Sequence, residues 1–256
     1  LFSGAPKRYG FDRSQAREWP NLLATNRKVK IPLEKHHVSS RYLQLARTAF
    51  PSEANVPLCG PLSAEDNATQ SISTLLAEFG LLQGEFLVAH YGTTWQTKLW
   101  PLEHWVELAK KIILDDGRQL VLTWGNEVEK RAVEHISASC HEIPESCKGR
   151  AIIWPRGNLQ ELIALLAAAR LVIGCDTGPV HIAAAVGTPT VSIYRVTDSL
   201  RNGPPGDGHR RLQAAMDCSP CLRKSCDLDH ECGQSISVAE VLSAINALLD
   251  SEDGKI

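Results

Sequence analysis

The sequence lacks the features that mark several common classes of protein. No G-x-G-x-x-G follows a predicted strand and no Tyr-x3-Lys is present, which weighs against a dinucleotide-binding dehydrogenase or epimerase. No apolar run reaches the length of a membrane span, and no signal peptide is visible. The net charge is only −2, so the whole chain gives no reason to expect a nucleic-acid partner. The chain does not begin with methionine, and we expect it to start inside a domain.

The eight cysteines are unevenly placed. Half are scattered through a large chain, which favours a reducing, cytosolic setting. The rest form the pattern C-x2-C-x4-C-x5-C, at Cys218, Cys221, Cys226 and Cys232. This spacing can hold a structural zinc ion, although the second half of the pattern is irregular. Free thiols under a loop and a disulfide are the alternatives.

The stretch from Leu171 to Tyr194 predicts a strand, a turn, a helix over 180–186 and a second strand over 190–194. Backbone N–H groups at the start of that helix favour an anion such as phosphate. Asp176, Thr177 and Gly178 form the turn, and His181 lies one helical turn further on. Because a carboxylate repels phosphate, we expect Asp176 to cap the helix or to accept from sugar hydroxyls. An ordinary capped helix with a surface histidine is the alternative.

Strands and helices alternate along the rest of 85–200. Predicted strands cover 86–89, 119–123 and 151–154, and predicted helices cover 101–114, 127–138 and 159–169. This alternation predicts a parallel, doubly wound α/β sheet. Turns 90–98, 124–129 and 174–181 then converge at the carboxyl edge of the sheet.

The converging turns carry polar residues suited to a nucleotide diphosphate. Thr93, Thr94 and Lys98 can bind the phosphates, and Glu129 can accept hydrogen bonds from ribose. Each of these residues taken alone also fits an ordinary surface position. The set predicts a site because all its members fall on one edge of the sheet.

The two ends of the chain have a different character. Residues 7–47 are rich in Arg, Lys and His, which favours either a solvated face or an anionic partner. A helix is predicted over 35–50, a linker over 50–67 with a domain boundary near 51–84, and a last amphipathic helix over 236–250. We divide the chain into 1–65, 66–235 and 236–256.

Several blocks in order resemble one family. GTTWQTKLWPLEHWVELAKKI, TWGNEVEKRA and LVIGCDTGPVHIAAAVGTPTVSIY resemble the C-terminal domain of the ADP-heptose:lipopolysaccharide heptosyltransferases, glycosyltransferase family 9. GFDRSQARE and NRKVKIPLEKHH resemble its N-terminal domain, in the heptosyltransferase I branch. The resemblance covers about residues 3–200. It implies a GT-B fold, in which two Rossmann-like domains face a cleft and the C-terminal domain holds the donor.

The resemblance also implies roles for residues. The donor-binding positions fall on Thr93, Thr94, Lys98, Glu129, Asp176, Thr177, Gly178 and His181. Arg17 and His36 match positions implicated in binding the anionic inner-core acceptor, a Kdo-lipid A type glycolipid. The implied partners are ADP-heptose and this acceptor. The resemblance also implies a cytoplasmic protein that makes peripheral contact with the inner face of the cell membrane through the acceptor. Charge arithmetic requires no metal or other cofactor.

The implied reaction is a single displacement at the anomeric carbon with inversion. The family assigns the general base to an aspartate in a loop after the first strand, which lies upstream of Leu1. We therefore expect a truncated N-terminal domain, an unknown catalytic base, and no transfer by this chain alone. A transferase for another nucleotide sugar is one alternative, and a non-catalytic binding module, favoured by the missing first strand, is another. Two departures from the family pattern also leave the adenine stacking and the exact acceptor open. Arg156-Gly157 replaces a bulky apolar residue near adenine in some relatives, and the cysteine block resembles heptosyltransferase II.

Overall fold

A computed structural model of the chain describes residues 4–16, 18–32, 34, 36–51, 56–140 and 149–253. The chain divides into two compact units, Leu1–Leu58 with Leu200–Asn202 (unit 1), and Cys59–Ser199 with Gly203–Ile256 (unit 2). The predicted boundaries after residues 65 and 235 separate an acceptor-binding remnant with its linker, a donor-binding domain and a C-terminal helix with its tail. These boundaries stay a prediction.

Unit 1 holds a small parallel sheet with helices beside it. Strands β1 (Tyr9–Phe11) and β2 (Arg27–Val29) pair in parallel, with Gly10 opposite Lys28. Helix α1 (Trp19–Ala24) joins them, and helix α2 (Val38–Ala49) follows. The helix predicted over 35–50 is confirmed as α2.

The remaining elements follow in an alternating order, and all belong to unit 2 except for most of one short helix, whose residues Leu200–Asn202 are assigned to unit 1. They are α3 (Asp66–Glu78), β3 (Phe86–His90), α4 (Leu102–Leu114), β4 (Gln119–Thr123), α5 (Glu127–Ser139), β5 (Ala151–Ile153), α6 (Leu159–Ala168), β6 (Leu171–Cys175), α7 (Gly178–Ala185), β7 (Thr190–Tyr194), α8 (Ser199–Asn202, at the division of the units), β8 (His209–Gln213), α9 (Asp229–Gln234) and α10 (Val238–Asp253). Every strand and helix predicted over 85–200 is present among them.

The sheet of unit 2 is parallel and doubly wound. Its six strands lie in the order β5-β4-β3-β6-β7-β8. The strand order reverses between β3 and β6, where Val88 lies opposite Val172. In sheets of this kind, a crevice opens at the carboxyl ends of the two strands that flank the reversal.

Both faces of the sheet are covered, which explains why strands β3, β6 and β7 are buried at every position and mostly apolar. Leu87 and Ala89 of β3 belong to a core shared with α4, α5 and α10. Phe86 and Val88, whose side chains point the opposite way, belong to a second core shared with α3, α6 and α7. The residues predicted for the inner face of α4 are all buried, namely Trp105, Leu108, Ile112 and Ile113.

The stretch Asp229–Ser251 is long and apolar enough to cross a membrane by length and composition alone. It consists of α9 and α10, and its apolar side chains Val241, Ile245 and Leu248 belong to the core beside the sheet. We therefore assign α10 to the core of unit 2.

Candidate functional site

The candidate site lies at the reversal of strand order in unit 2. After β3 the chain enters the turn 91–98, and after β6 it enters Asp176 and helix α7. Because β3 and β6 are neighbours, these two segments meet at the carboxyl edge of the sheet. The Thr93 hydroxyl donates to the backbone carbonyl of Asp176 at 3.3 Å, which joins the two segments directly.

Asp176 is the centre of a polar cluster. Its Oδ2 accepts from Lys98 Nζ at 2.8 Å and from the Thr197 hydroxyl at 2.8 Å. Its Oδ1 lies 3.5 Å from His181 Nε2. Burial by itself raises the pKa of the Asp176 carboxyl, but hydrogen bonds from His181, Lys98 and Thr197 and the Lys98 charge hold that pKa well below its usual range. Asp176 is therefore a fixed negative charge at the edge of the sheet.

Helix α7 begins beside this cluster with its first turn open. Thr177 occupies the N-cap position but its side chain makes no capping bond, and Pro179 lies in the first turn. The first N–H groups of a helix have no partner within the helix, and they carry a partial positive charge. The expectation that Asp176 caps this helix is wrong, because Lys98 and Thr197 hold its carboxylate instead. The helix end can therefore receive an anion.

Glu129 is held in place on the neighbouring turn, at the start of α5. Its carboxylate accepts from the Gly125 N–H at 2.6 Å and from Asn126 Nδ2 at 2.7 Å. Gly92 lets it approach the first turn, since a Cβ added at Gly92 lies 2.3 Å from the Glu129 Cδ. A carboxylate fixed in this way still has acceptor capacity for hydroxyl groups.

A cavity of about 410 Å³ adjoins the polar cluster. Thr93, Thr94, Glu129 and Thr177 line it on the polar side. Trp124, Trp154, Pro155, Arg156, Leu159 and Leu162 are among the residues that line the rest. Trp124 Nε1 donates to the Trp154 carbonyl at 3.1 Å, which fixes the Trp124 ring. A cavity lined by aromatic and aliphatic side chains together with hydroxyl and carboxylate groups suits a nucleoside joined to phosphates.

His90 is a buried residue that lines this cavity. Its Nδ1 lies 3.0 Å from the Thr123 hydroxyl, and only 7% of the residue is exposed. Burial lowers the pKa of His90 to about 4, so the ring is neutral near neutral pH.

Sequence reasoning found part of this site and missed part. Of the predicted donor residues, the structure joins Thr93, Lys98, Asp176 and His181 by direct contacts. It places Thr94, Glu129 and Thr177 in the adjoining wall, and Gly178 in the first turn of α7. Thr197, which holds Asp176, was missed because nothing local in sequence marks it. Trp124 directly follows β4 and Trp154 directly follows β5. Residues that directly follow parallel strands lie at the carboxyl edge of the sheet, so this position could have identified both tryptophans as site residues.

The two predicted acceptor residues belong to unit 1. Arg17 lies outside the described residues. His36 is described and exposed. Their predicted role stays a prediction.

The zinc site that the cysteine spacing allows is not formed in the described part of the chain. No group of three or more His, Cys, Asp or Glu residues that could hold a metal ion occurs among the described residues, which include the four clustered cysteines. Cys232 is buried in the core, and its thiol points at the Arg195 carbonyl at 3.9 Å. Cys218 is exposed. A thiol in the core and a thiol in solvent are poorly placed to share one ion.

Comparisons with known sequences agree on one family. The sequence profile of glycosyltransferase family 9 (heptosyltransferase) matches residues 1–231. The chain is 30% identical over 217 residues to lipopolysaccharide heptosyltransferase 1 of Pseudomonas aeruginosa, with 85% of this chain and 56% of that protein covered. It is 27% identical over 191 residues to lipopolysaccharide heptosyltransferase 1 of Escherichia coli K12, with 75% and 54% covered. The chain spans about half the length of these curated relatives.

Solved structures share the fold. The Escherichia coli heptosyltransferase WaaC with ADP matches with a TM-score of 0.65 at 23% identity, covering 94% of this chain and 65% of that one. A family 9 glycosyltransferase from Veillonella parvula matches with a TM-score of 0.73 at 19% identity, covering 96% and 68%. The chain therefore has the α/β fold of the GT-B heptosyltransferases, as its sequence predicts.

Proposed function

Because this chain belongs to glycosyltransferase family 9, the heptosyltransferases, we propose that it binds ADP-heptose for transfer to the lipopolysaccharide inner core. The observation that carries the proposal is the crevice between β3 and β6. There a helix N-terminus, a lysine and hydroxyl groups adjoin a cavity, partly lined by aromatic side chains, that is large enough for a nucleoside.

Each part of the donor has a matching surface. The diphosphate lies at the start of α7, near the Thr93 and Thr94 hydroxyls, because N–H and O–H donors there can bind phosphate oxygens. Glu129 accepts from the ribose hydroxyls. The adenine enters the cavity between Trp124 and Trp154, where aromatic walls compensate for the absence of a bulky apolar side chain at Arg156.

The transfer is a single displacement with inversion. The acceptor hydroxyl oxygen forms a bond to the anomeric carbon while the bond from that carbon to the diphosphate breaks. The hydroxyl proton passes to a general base, and ADP leaves carrying the electron pair. Lys98 and the start of α7 stabilise the negative charge that grows on the departing phosphate. On this basis no metal ion is needed at the donor.

Asp176 does not serve as the general base in this proposal. An efficient base has a pKa near the working pH. The contacts from His181, Lys98 and Thr197 hold the pKa of Asp176 far lower, so it has little tendency to take a proton. Its role is to orient Lys98 and His181 towards the sugar diphosphate.

The acceptor is proposed to meet unit 1. Residues 7–41 carry many Arg, Lys and His side chains, and the inner core carries carboxylates and phosphates. Arg17 and His36 are the residues proposed to contact it. The enzyme would then work in the cytoplasm, in peripheral contact with the inner face of the cell membrane that presents the acceptor.

Calorimetric titration of the chain with ADP-heptose, ADP, UDP-glucose and NAD tests the donor proposal. We expect ADP-heptose to bind at least about tenfold more tightly than UDP-glucose, since only one of them presents adenine to the aromatic cavity. Asp176→Ala should weaken ADP-heptose binding, whereas the exposed Asp250→Ala should not. Tighter binding of UDP-glucose, or equal binding by both variants, would contradict the proposal.

A further inference from the structure

Residues 216–224, here called the cysteine segment, pack against the loop that holds Asp176. The N–H groups of Cys221 and Leu222 both donate to the Val196 carbonyl, at 3.1 and 2.9 Å. The Ser219 hydroxyl donates to the Arg195 carbonyl at 2.7 Å. The neighbouring Thr197 is the residue whose hydroxyl binds Asp176. The cysteine segment is thus fixed to the loop behind the proposed donor site.

The end of the cysteine segment reaches the turn that carries Lys98. The buried Thr97 hydroxyl donates to the Arg223 carbonyl at 2.7 Å. The next residue, Lys224, places its Nζ 5.1 Å from the centroid of the Trp95 ring. Lys98 Nζ lies 4.9 Å from the same centroid. The two ammonium groups can therefore be no farther apart than the sum of these distances.

The charges of these lysines are balanced differently. Lys98 is paired with Asp176, and the two side chains are only 14% and 9% exposed. Lys224 is exposed, and no carboxylate of the described residues lies within 4.0 Å of its ammonium group. A diphosphate carries more than one negative charge, while the Lys98–Asp176 pair contributes no net charge. A further cation near the diphosphate would add to the stabilisation from Lys98 and the start of α7, and Lys224 is the cation that shares the Trp95 ring with Lys98.

We propose that Lys224 is a second phosphate-binding cation of the donor site. The indole of Trp95 holds its ammonium group near the turn that carries Lys98, by a cation–π contact at an exposed position. Such a contact is weak enough for the ammonium group to move to a phosphate oxygen when the donor binds. The proposal rests on the proposed function, because it needs a diphosphate in the crevice.

The proposal also gives the cysteine segment a place in the site. Its cysteines are not required as ligands, since its backbone alone carries Lys224 to Trp95. The N–H bonds to Val196 hold Leu222 at a φ of 58°, a conformation that is strained for a residue with a side chain. Arg223 and Lys224 follow this bend. The Arg223 carbonyl accepts from the Thr97 hydroxyl, and the Lys224 ammonium group lies near the Trp95 ring.

Binding of ADP and of adenosine to Lys224→Met and Lys224→Arg tests the proposal. Methionine keeps most of the apolar stem over Trp95 and removes the charge. We expect Lys224→Met to weaken ADP binding about tenfold and to leave adenosine binding unchanged, because only ADP has the diphosphate that the lysine contacts. Lys224→Arg should keep most of the affinity for ADP. As a matched control, Lys111→Met removes a lysine charge from α4 of the same unit and should change neither affinity.

Each remaining outcome overturns the proposal in a distinct way. If ADP binds Lys224→Met as tightly as wild type, while Asp176→Ala is weakened, the donor site stands and Lys224 has no part in it. An equal loss of ADP and adenosine binding would give Lys224 a structural role only. Failure of the wild-type chain to bind ADP would overturn this inference together with the proposed function.

Discussion

Asp176 is an acidic residue in a site proposed for a diphosphate, and its contacts explain how the two coexist. Lys98 and Thr197 hold one carboxylate oxygen at 2.8 Å each, and His181 lies beside the other. The negative charge is therefore neutralised within the protein and does not face the phosphate alone. In return it fixes the direction of Lys98, a side chain with many rotamers, and ordering that side chain before binding favours affinity.

Gly178 allows a residue-scale prediction. A Cβ added there meets no atom within 4 Å, and its φ is not in the left-handed region, so the fold itself does not require glycine. A methyl group at the open helix end would occupy space proposed for the phosphate. We expect Gly178→Ala to leave the free energy of unfolding unchanged or to raise it by up to about 1 kcal/mol, and to weaken ADP binding about tenfold.

The matched control is Gly208→Ala. This glycine is equally open and also has no left-handed φ, but it lies at the start of β8, away from the site. Calorimetric titration and urea unfolding of both variants give the comparison. ADP binding that is as strong in Gly178→Ala as in Gly208→Ala would mean that the phosphate does not approach the start of α7.

His90 makes stability depend on pH. Its ordinary pKa is 6.5 and burial lowers the folded-state pKa to about 4, so between these values the unfolded chain binds a proton that the folded chain does not. Stability therefore falls as the pH drops. Between about pH 7 and about pH 5, we expect the free energy of unfolding to fall by about 2 kcal/mol more in wild type than in His90→Gln. Urea unfolding at the two pH values measures this difference.

The control for His90 is the exposed His135 on α5. His135→Gln should keep the wild-type dependence on pH. If His90→Gln and wild type lose the same stability on acidification, then the folded chain protonates His90 as readily as the unfolded chain does. That result would contradict a lowered pKa for His90.

At the scale of elements, periodicity predicted the regular part of unit 2. Strands β4 and β7 have the predicted bounds, and helices α4 and α5 differ from theirs by one residue at one end. Their apolar residues recur at the spacing of the element, because each faces the core from a fixed direction. The same argument placed the turns that follow β3, β4 and β6, and hence the predicted donor residues.

Several short or polar elements were not predicted, and helix α3 and strand β8 show the physical reasons. Helix α3 buries only Ala68, Ile72 and Leu76, and its polar, β-branched sequence within 51–84 resembles a linker. Strand β8 is a half-buried edge strand with the sequence HRRLQ, which carries too little apolar character to be recognised. The four clustered cysteines, Cys218 to Cys232, were interpreted as a possible metal site, because spacing along a chain does not show that the backbone of the cysteine segment docks on Val196.

Helix α10 provides a prediction at this scale. Ile245 is fully buried in the core beside the sheet, whereas the adjacent Asn246 is exposed. We expect Ile245→Ala to lower the free energy of unfolding by about 3 kcal/mol, because it leaves a cavity in a packed core. Asn246→Ala should change it by less than about 0.5 kcal/mol. Equal, small effects in urea unfolding would show that α10 does not pack on the sheet.

At the scale of the molecule, the predicted donor and acceptor residues belong to different compact units. All the predicted donor residues lie in unit 2, and His36 lies in unit 1. The sequence predicted this separation of roles through its resemblance to a family, and not through composition or periodicity. Residue types alone could predict a nucleotide-diphosphate site, but not the identity of the sugar or of the acceptor.

This separation predicts that donor binding does not need unit 1. A polypeptide of residues 59–256 contains the whole proposed donor site, so we expect it to bind ADP with an affinity within about threefold of that of the full chain. Calorimetric titration of the two polypeptides makes the comparison, with circular dichroism to check that the shorter one is folded. A folded 59–256 polypeptide that binds ADP much more weakly would place essential donor contacts in unit 1.

The most direct test of the central claim is a crystal structure of this chain with ADP. The account predicts the diphosphate at the start of α7, with its oxygens about 3 Å from backbone N–H groups and from the Thr93 or Thr94 hydroxyl. The adenine should lie in the cavity lined by Trp124 and Trp154. ADP bound elsewhere, for example in the groove lined by Tyr91 and Arg131, with the crevice between β3 and β6 empty, would contradict it.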